Sequence, residues 1–221
     1  RYDTSIAVSV YVVAMLAITV TCVLLAVGAR VGVDVAFYTF VLFITTYVAT
    51  YLELPRSYAL NAVLIAAAIQ VVAIPFFGGL SDRLSRRAVY LAGAIGAAVW
   101  VFVFFALLDT GQFALIMIAA VVALILHAAM YGPQAAFITE MFPTKVRYTG
   151  ASMGYQLAGI VGGALAPIIS VALLDRFDTS IAVSVYVVAM LLVTLTCVWL
   201  APETSRIDLH ADPADHAASS R

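Results

Sequence analysis

The sequence predicts an all-α polytopic membrane protein with seven transmembrane helices, and three observations predict it. Apolar residues make up 65% of the chain and charged residues 10%, against about 45–50% and about 25% in soluble domains. Uncharged runs fall at 4–29, 35–52, 57–81, 88–108, 110–139, 148–174 and 179–202, each of the ~18–20 residues that a helix needs to cross ~30 Å of hydrocarbon. The runs are continuously apolar and do not alternate, which excludes a transmembrane barrel. Only short connections remain between the spans, which leaves no room for a soluble catalytic domain. The lipid bilayer is therefore the first expected partner, and nothing in the charge balance of 11 Lys/Arg against 12 Asp/Glu points to nucleic acid.

The first span is a copy of the last. Residues 1–26 return at 176–201 with five differences: Tyr2/Phe177, Ala17/Leu192, Ile18/Val193, Val20/Leu195 and Leu24/Trp199. Solenoid repeats recur at ~20–50 residues, so an isolated copy 175 residues away reads as a duplicated transmembrane helix, a seam rather than a repeat architecture. The chain opens on Arg1, with no basic stretch and no small-residue cleavage site, which reads as a fragment boundary and not a signal peptide. Cys22 and Cys197 occupy the same position in the two copies, deep in apolar spans where a disulfide or metal site is not expected.

Alternating the spans from an external N-terminus places Arg30, Arg83, Arg86, Arg87, Lys145, Arg147, Arg206 and Arg221 inside and Arg1, Arg56 and Arg176 outside. That asymmetry is the one the positive-inside rule expects, with a cytoplasmic C-terminus. Asp34, at a span end, reads as an interfacial charge in this scheme.

The turn after the third span reads Gly78-Gly79-Leu80-Ser81-Asp82-Arg83-Leu84-Ser85-Arg86-Arg87. Glycines let helices approach closely at a reversal, and an Asp among arginines can form contacts that break and reform as helices rock. The segment resembles the G-x-x-x-D-R-x-G-R-R loop of the major facilitator superfamily. Gly78, Asp82, Arg83, Arg86 and Arg87 match that motif, and Ser85 stands where a glycine is usual.

A second segment, Tyr131-Gly132-Pro133-Gln134-Ala135-Ala136-Phe137 through Glu140-Met141-Phe142-Pro143-Thr144-Lys145-Val146-Arg147 to Gly154-Tyr155-Gln156, resembles the linker between helices ten and eleven in the metabolite:proton symporter branch of that superfamily. Pro202-Glu203-Thr204 resembles a closing motif of the wider group. The resemblance covers residues 28–205. It implies a six-helix C-terminal half, helices seven to twelve, with the duplicated span (1–27) as one extra helix before it. The polar tail 206–221 reads as disordered and cytoplasmic. His210, Asp212, Asp215 and His216 in it read as solvated rather than as a metal site.

In the linker, Pro143 stops a helix and restricts Phe142 before it. Thr144 or Thr149 can cap the next helix. Glu140, close in sequence to Lys145 and Arg147, can close the turn on an ion pair and act as a gate latch. The sixth span carries Gly150, Gly154, Gly159 and Gly163 for close helix crossing, and Pro75 and Pro167 offer kinks.

His127 is the one ionisable residue inside an uncharged run. A group of that kind at mid-membrane is a functional candidate, and imidazole suits proton handling; a neutral ring hydrogen-bonded to a Ser, Thr or Tyr is the structural alternative. Tyr38, Tyr47, Asn61, Gln70, Tyr131, Gln134, Tyr155 and Gln156 lie at comparable depth and can line a pathway for a small polar metabolite. By this division no Arg or Lys lies within a span, so no anchor for a carboxylate is expected. Gly150-Ala151-Ser152-Met153-Gly154 fits G-x-S-x-G, but that pattern works on a strand-to-helix turn, so no catalytic residue is expected.

The resemblance implies part of a proton-coupled secondary transporter working by alternating access, without a cofactor. Its substrate would be a small polar metabolite such as an organic acid, a shikimate-like acid or a zwitterionic osmolyte. Its other partners would be protons and an N-terminal half or second copy. The competing readings are a non-transporting membrane fragment or scaffold, a seven-helix receptor, and an intramembrane serine hydrolase resting on Ser152 and His127.

Overall fold

The computed structural model describes residues 2–144 and 146–201; the side chains of residues 2–8, 11 and 14 lie outside this description. Lys145, the Pro202–Thr204 motif and the tail 206–221 also lie outside the described residues.

Helix α1 runs Tyr2–Tyr38 and continues without a break through π-helical turns at Thr39–Phe43 and Tyr47–Tyr51, with Ile44–Thr46 between them. Then come α2 (Arg56–Arg83), α3 (Arg86–Leu108) and α4 (Phe113–Glu140). The next rod is α5 (Arg147–Ala158), a π-helical turn at Gly159–Ala164, and α6 (Leu165–Phe177). Helix α7 (Ser180–Leu200) closes the described fold. The Gly159–Ala164 turn has a local cause. Pro167 has no N–H to give the carbonyl four residues back, at Gly163, and the ladder widens ahead of it.

Among the described residues six helices, not seven, are long and apolar enough to cross a membrane. The expected first and second spans are one helix, because the Arg30–Asp34 stretch that divides the two uncharged runs is not a turn. The two charges are four residues apart on one helix face and pair directly, Arg30 Nε donating to Asp34 Oδ2 at 2.9 Å. The glycines nearby serve packing instead of reversal. Thr194 of α7 donates its hydroxyl to Gly28 O at 2.8 Å and accepts from Gly32 N–H at 3.0 Å, and a Cβ on Gly32 would meet the Met190 carbonyl oxygen at 2.5 Å. The merger removes the alternation on which an external N-terminus rested.

The duplicated segment therefore extends α1 past the end of α7. Gly28 lies against Cys197, so residues 2–24 project about 35 Å further at ~1.5 Å per residue. The sequence differences now have a spatial meaning. Phe177, Leu192, Val193 and Trp199 are exposed on the C-terminal copy and Leu195 is half-buried. The buried Val183, Ser184, Val187, Leu191, Thr194, Val198 and Ala201 recur unchanged as Val8, Ser9, Val12, Leu16, Thr19, Val23 and Ala26. The packing face was copied letter for letter, and α1 buries only its inner end: Ala26 is buried and Val23 half-buried, whereas Val12 is 56% and Leu16 66% exposed. Among the described side chains from Ser9 to Thr21 none is buried. Deleting residues 1–20 should therefore shift the unfolding free energy of the detergent-solubilised protein by no more than about 0.5 kcal/mol, the range of substitutions at open surface. A denaturation midpoint compared between the two chains checks it.

Within the bundle α4 lies against both α2 and α3, α1 packs on α7 and α5, and α3 also meets α7. The contacts are made close by small residues. A Cβ on Gly132 of α4 would stand 2.8 Å from Gly78 N and Ile74 O of α2.

Candidate functional site

Helical spacing builds the inner site. Arg30, Asp34, Phe37 and Tyr38 share one face of α1, Gln70 and Ile74 one face of α2, and His127 and Tyr131 one face of α4, since residues three or four apart line up. Together these eight line a cavity of about 340 Å³. Asp34 is 7% exposed and His127 4%. The Gln70 side-chain amide donates to Leu124 O at 3.3 Å and lies 2.7 Å from His127 Nδ1. Because that amide nitrogen can only donate, Nδ1 accepts and the ring is neutral with its proton on Nε2. The ring is held between Phe37, at 4.9 Å between centroids, and Tyr131, at 5.4 Å. The partner of His127 is thus an amide, where a hydroxyl was the expected alternative.

Tyr131 also borders a second, larger cavity of about 710 Å³, with Thr139 on α4 and Arg147, Ser152, Tyr155 and Gln156 among its other walls. Tyr155 joins the two sites, since the Arg30 guanidinium lies 4.1 Å from the centroid of its ring. Ser152 is mid-helix on α5, not on the strand-to-helix turn that a serine nucleophile of the G-x-S-x-G type needs.

Of the expected pathway residues, Tyr38, Gln70, His127, Tyr131, Tyr155 and Gln156 line one cavity or the other. Three do not. Gln134 is fully buried and donates to Tyr90 Oη at 2.9 Å, while Tyr90 donates on to Ala29 O at 2.9 Å; this chain ties α4 to α3 to α1. Tyr47 donates to Asp109 Oδ1 at 2.6 Å, in the turn after α3. Asn61 is exposed on α2 and borders neither cavity.

Two residues that the sequence had placed at an interface belong to the inner site. Arg30 and Asp34 lie inside the Met15–Tyr51 span, so the expectation that no span holds a cation is overturned. Their i, i+4 spacing in line with Tyr38, two further positions of one helical face, was the available sign.

The loop motif forms a layer at one end of the bundle. Ser85, in the place of the usual glycine, is the N-cap of α3 and accepts from Ala88 N–H at 3.3 Å. Asp82 accepts from Arg86 at 3.2 Å, and Arg86 also pairs with Glu140 at the end of α4. Arg87 donates to Val198 O at 3.0 Å and to the carbonyls of Trp199 and Ala201, closing the last turn of α7. Such a cation offsets the unpaired carbonyls of a helix end. Arg83 is exposed. Among the described residues Glu140 is held by Arg86, a residue of the other motif, and not by Arg147; Lys145, the other expected partner, lies outside them. Arg147 instead donates to Phe142 O at 3.2 Å and reaches Thr144 Oγ1 at 3.5 Å. Pro143 lies in the turn after α4, and α5 starts from Val146 with no side-chain cap, so neither Thr144 nor Thr149 caps it.

Residues 28–219 match the Major Facilitator Superfamily. The chain is 32% identical to the shikimate transporter of Escherichia coli strain K12 over 166 residues, 74% of this chain and 38% of that protein. It is 33% identical to the inner membrane metabolite transport protein YhjE of the same strain over 178 residues, 76% and 40% of the two chains. It is 32% identical to the citrate-proton symporter of Klebsiella pneumoniae over 141 residues, 63% and 32%. It thus spans two-fifths or less of the length of these relatives. No solved structure matches it. Six apolar helices, the Gly78–Arg87 loop bonded to the ends of α4 and α7, and a match over most of its length establish that the chain belongs to the Major Facilitator Superfamily.

Proposed function

We propose that the chain is the C-terminal half of a proton-coupled symporter for a small polar metabolite, helices seven to twelve, which works by alternating access against an N-terminal half or a second copy. The observation that carries this reading is the inner cavity, where Asp34, Arg30, His127 and Gln70 meet inside an otherwise apolar bundle. Ionisable groups at such depth mark ion and substrate routes. Asp34 and His127 are the groups that can take up and release a proton there; Tyr38, Tyr131, Tyr155 and Gln156 offer a substrate hydroxyls and an amide. The Arg86–Glu140 pair is the gate latch at the cytoplasmic end, with the C-terminus on the same side.

Alternating access needs two bodies that rock about a site between them. Reconstituted alone, the chain should give no uptake above empty liposomes under an inward proton gradient. Fused behind helices one to six of a related symporter, it should drive gradient-dependent uptake of that symporter's labelled substrate or of shikimate or citrate. Gradient-driven uptake by the chain alone would overturn the half-transporter reading, and a silent fusion that still reaches the membrane would overturn the symport reading.

A further inference from the structure

We infer that Arg30 is the recognition residue for a single carboxylate group on the transported metabolite, and that Asp34 competes with that carboxylate for the guanidinium. The inference rests on the symporter reading above and names the class of substrate.

The guanidinium carries five N–H donors in a fixed fork. Asp34 takes one edge of it, through Nε at 2.9 Å. Nη1 is shut away from solvent and has no hydrogen-bond partner among the described residues. An unmatched donor on a buried cation is costly, and the group that matches the free edge of a guanidinium best is a carboxylate, bound by two parallel N–H···O bonds. Tyr155, packed on the guanidinium, is also a wall of the larger cavity, so Arg30 stands directly behind the surface that a solute in that cavity would touch.

The charge of the site sets the valence of its ligand. Among the described residues of the inner cavity Arg30 is the one permanent cation, and Asp34 offsets it. His127 faces it as a neutral ring, with Nδ1 taken up by Gln70. One carboxylate can be matched there by Arg30 if a proton neutralises Asp34, whereas a tricarboxylate or a phosphate dianion would leave negative charge unpaired in a low-dielectric space. The remaining walls, Phe37, Tyr38, Ile74 and Tyr131, suit a compact ring or short carbon skeleton.

The test is equilibrium binding to the full chain purified in detergent, by titration calorimetry. The probes are cyclohexanecarboxylate and 3,4-dihydroxycyclohexanecarboxylate, with cyclohexanecarboxamide and cyclohexane-1,3,5-tricarboxylate as comparisons. At least one monocarboxylate should bind, and it should bind about tenfold or more tighter than the amide or the tricarboxylate, a loss of the size expected when a charged bidentate pair is removed. Asp34→Asn, which frees the Arg30 fork, should tighten monocarboxylate binding by about tenfold, because the competitor for the cation is gone. The isosteric double variant Arg30→Gln/Asp34→Asn leaves no unpaired charge behind, keeps the fold testable, and should weaken binding by about thirtyfold or more relative to Asp34→Asn. Equal binding of acid and amide, an unchanged affinity in the double variant, or no carboxylate binding by either the unaltered chain or Asp34→Asn would overturn the inference. Binding with no gradient-driven uptake in the fusion counts against symport alone; uptake with none of these binding effects counts against Arg30 alone.

Discussion

Replacing Arg86 by alanine will cost the bundle about 1–3 kcal/mol, the cost of leaving a half-buried charged group without its partner. Arg86 and Glu140 have side chains 17% and 11% exposed, so water screens neither well. Glu140 Oε1 takes the pair and Oε2 has no hydrogen-bond partner among the described residues, and α2, α3 and α4 meet at this point. Asp82, 62% exposed, contributes under ~1 kcal/mol as a surface partner, so Asp82→Asn will be mild by comparison. The double variant Arg86→Gln/Glu140→Gln will regain most of the loss, since neither charge is then stranded. Denaturation midpoints in mixed micelles of the unaltered chain, Arg86→Gln, Glu140→Gln and the double variant close the cycle and give the coupling free energy, with Arg86→Ala and Asp82→Asn read beside them. A loss under 1 kcal/mol in Arg86→Ala would mean that Glu140 finds water at the rim, and that the pair does not hold this end of the bundle shut.

The spans after residue 55 were legible in the sequence because hydrocarbon thickness alone sets their length, and each is bounded by Pro, Gly or a charge that cannot pair within its own helix. The boundary at Arg30–Asp34 failed for the converse reason. Two opposite charges one turn apart neutralise each other along the helix, so the stretch that reads as an interface is buried. The same physics hid the cavity's cation, since a paired arginine between two uncharged runs looks like a positive-inside anchor. For Glu140, sequence proximity pointed to Arg147, but α4 ends beside the start of α3 and brings Arg86 to it, while Arg147 turns to Phe142 O and Thr144. His127 and Gln70 were visible as polar residues in apolar runs, but that one bonds the other depends on the α2–α4 crossing, which no spacing within a single helix reveals. Gln134 was misplaced likewise: it is buried within the bundle, and its direction, toward Tyr90 on α3, was not readable.

That α2–α4 crossing supplies the other large effect. Gly132→Leu will prevent the chain from assembling as a monodisperse protein, and Gly132→Ala will destabilise it by about 1–3 kcal/mol, the usual cost of forcing atoms into a packed contact. The obstacles are backbone atoms, Gly78 N and Ile74 O at 2.8 Å and Phe77 C at 3.2 Å from the added Cβ. No rotamer change can clear them, so relief requires the two helices to move apart. Gly79, one residue from Gly78, is the internal control. A Cβ there meets nothing within 4 Å, so Gly79→Ala should be neutral or stabilising by about 0.5–1 kcal/mol through backbone entropy alone. Opposite signs for two Gly→Ala changes at one crossing separate close packing from helix propensity, and equal signs would deny that the crossing is tight. The consequence reaches the site, because Tyr131 precedes Gly132 and walls both cavities. A helix pushed outward at Gly132 carries His127 and Tyr131 together away from Gln70 and Ile74 of α2, so the Ala variant should lose affinity for any ligand of the inner cavity in the same preparation in which it loses stability.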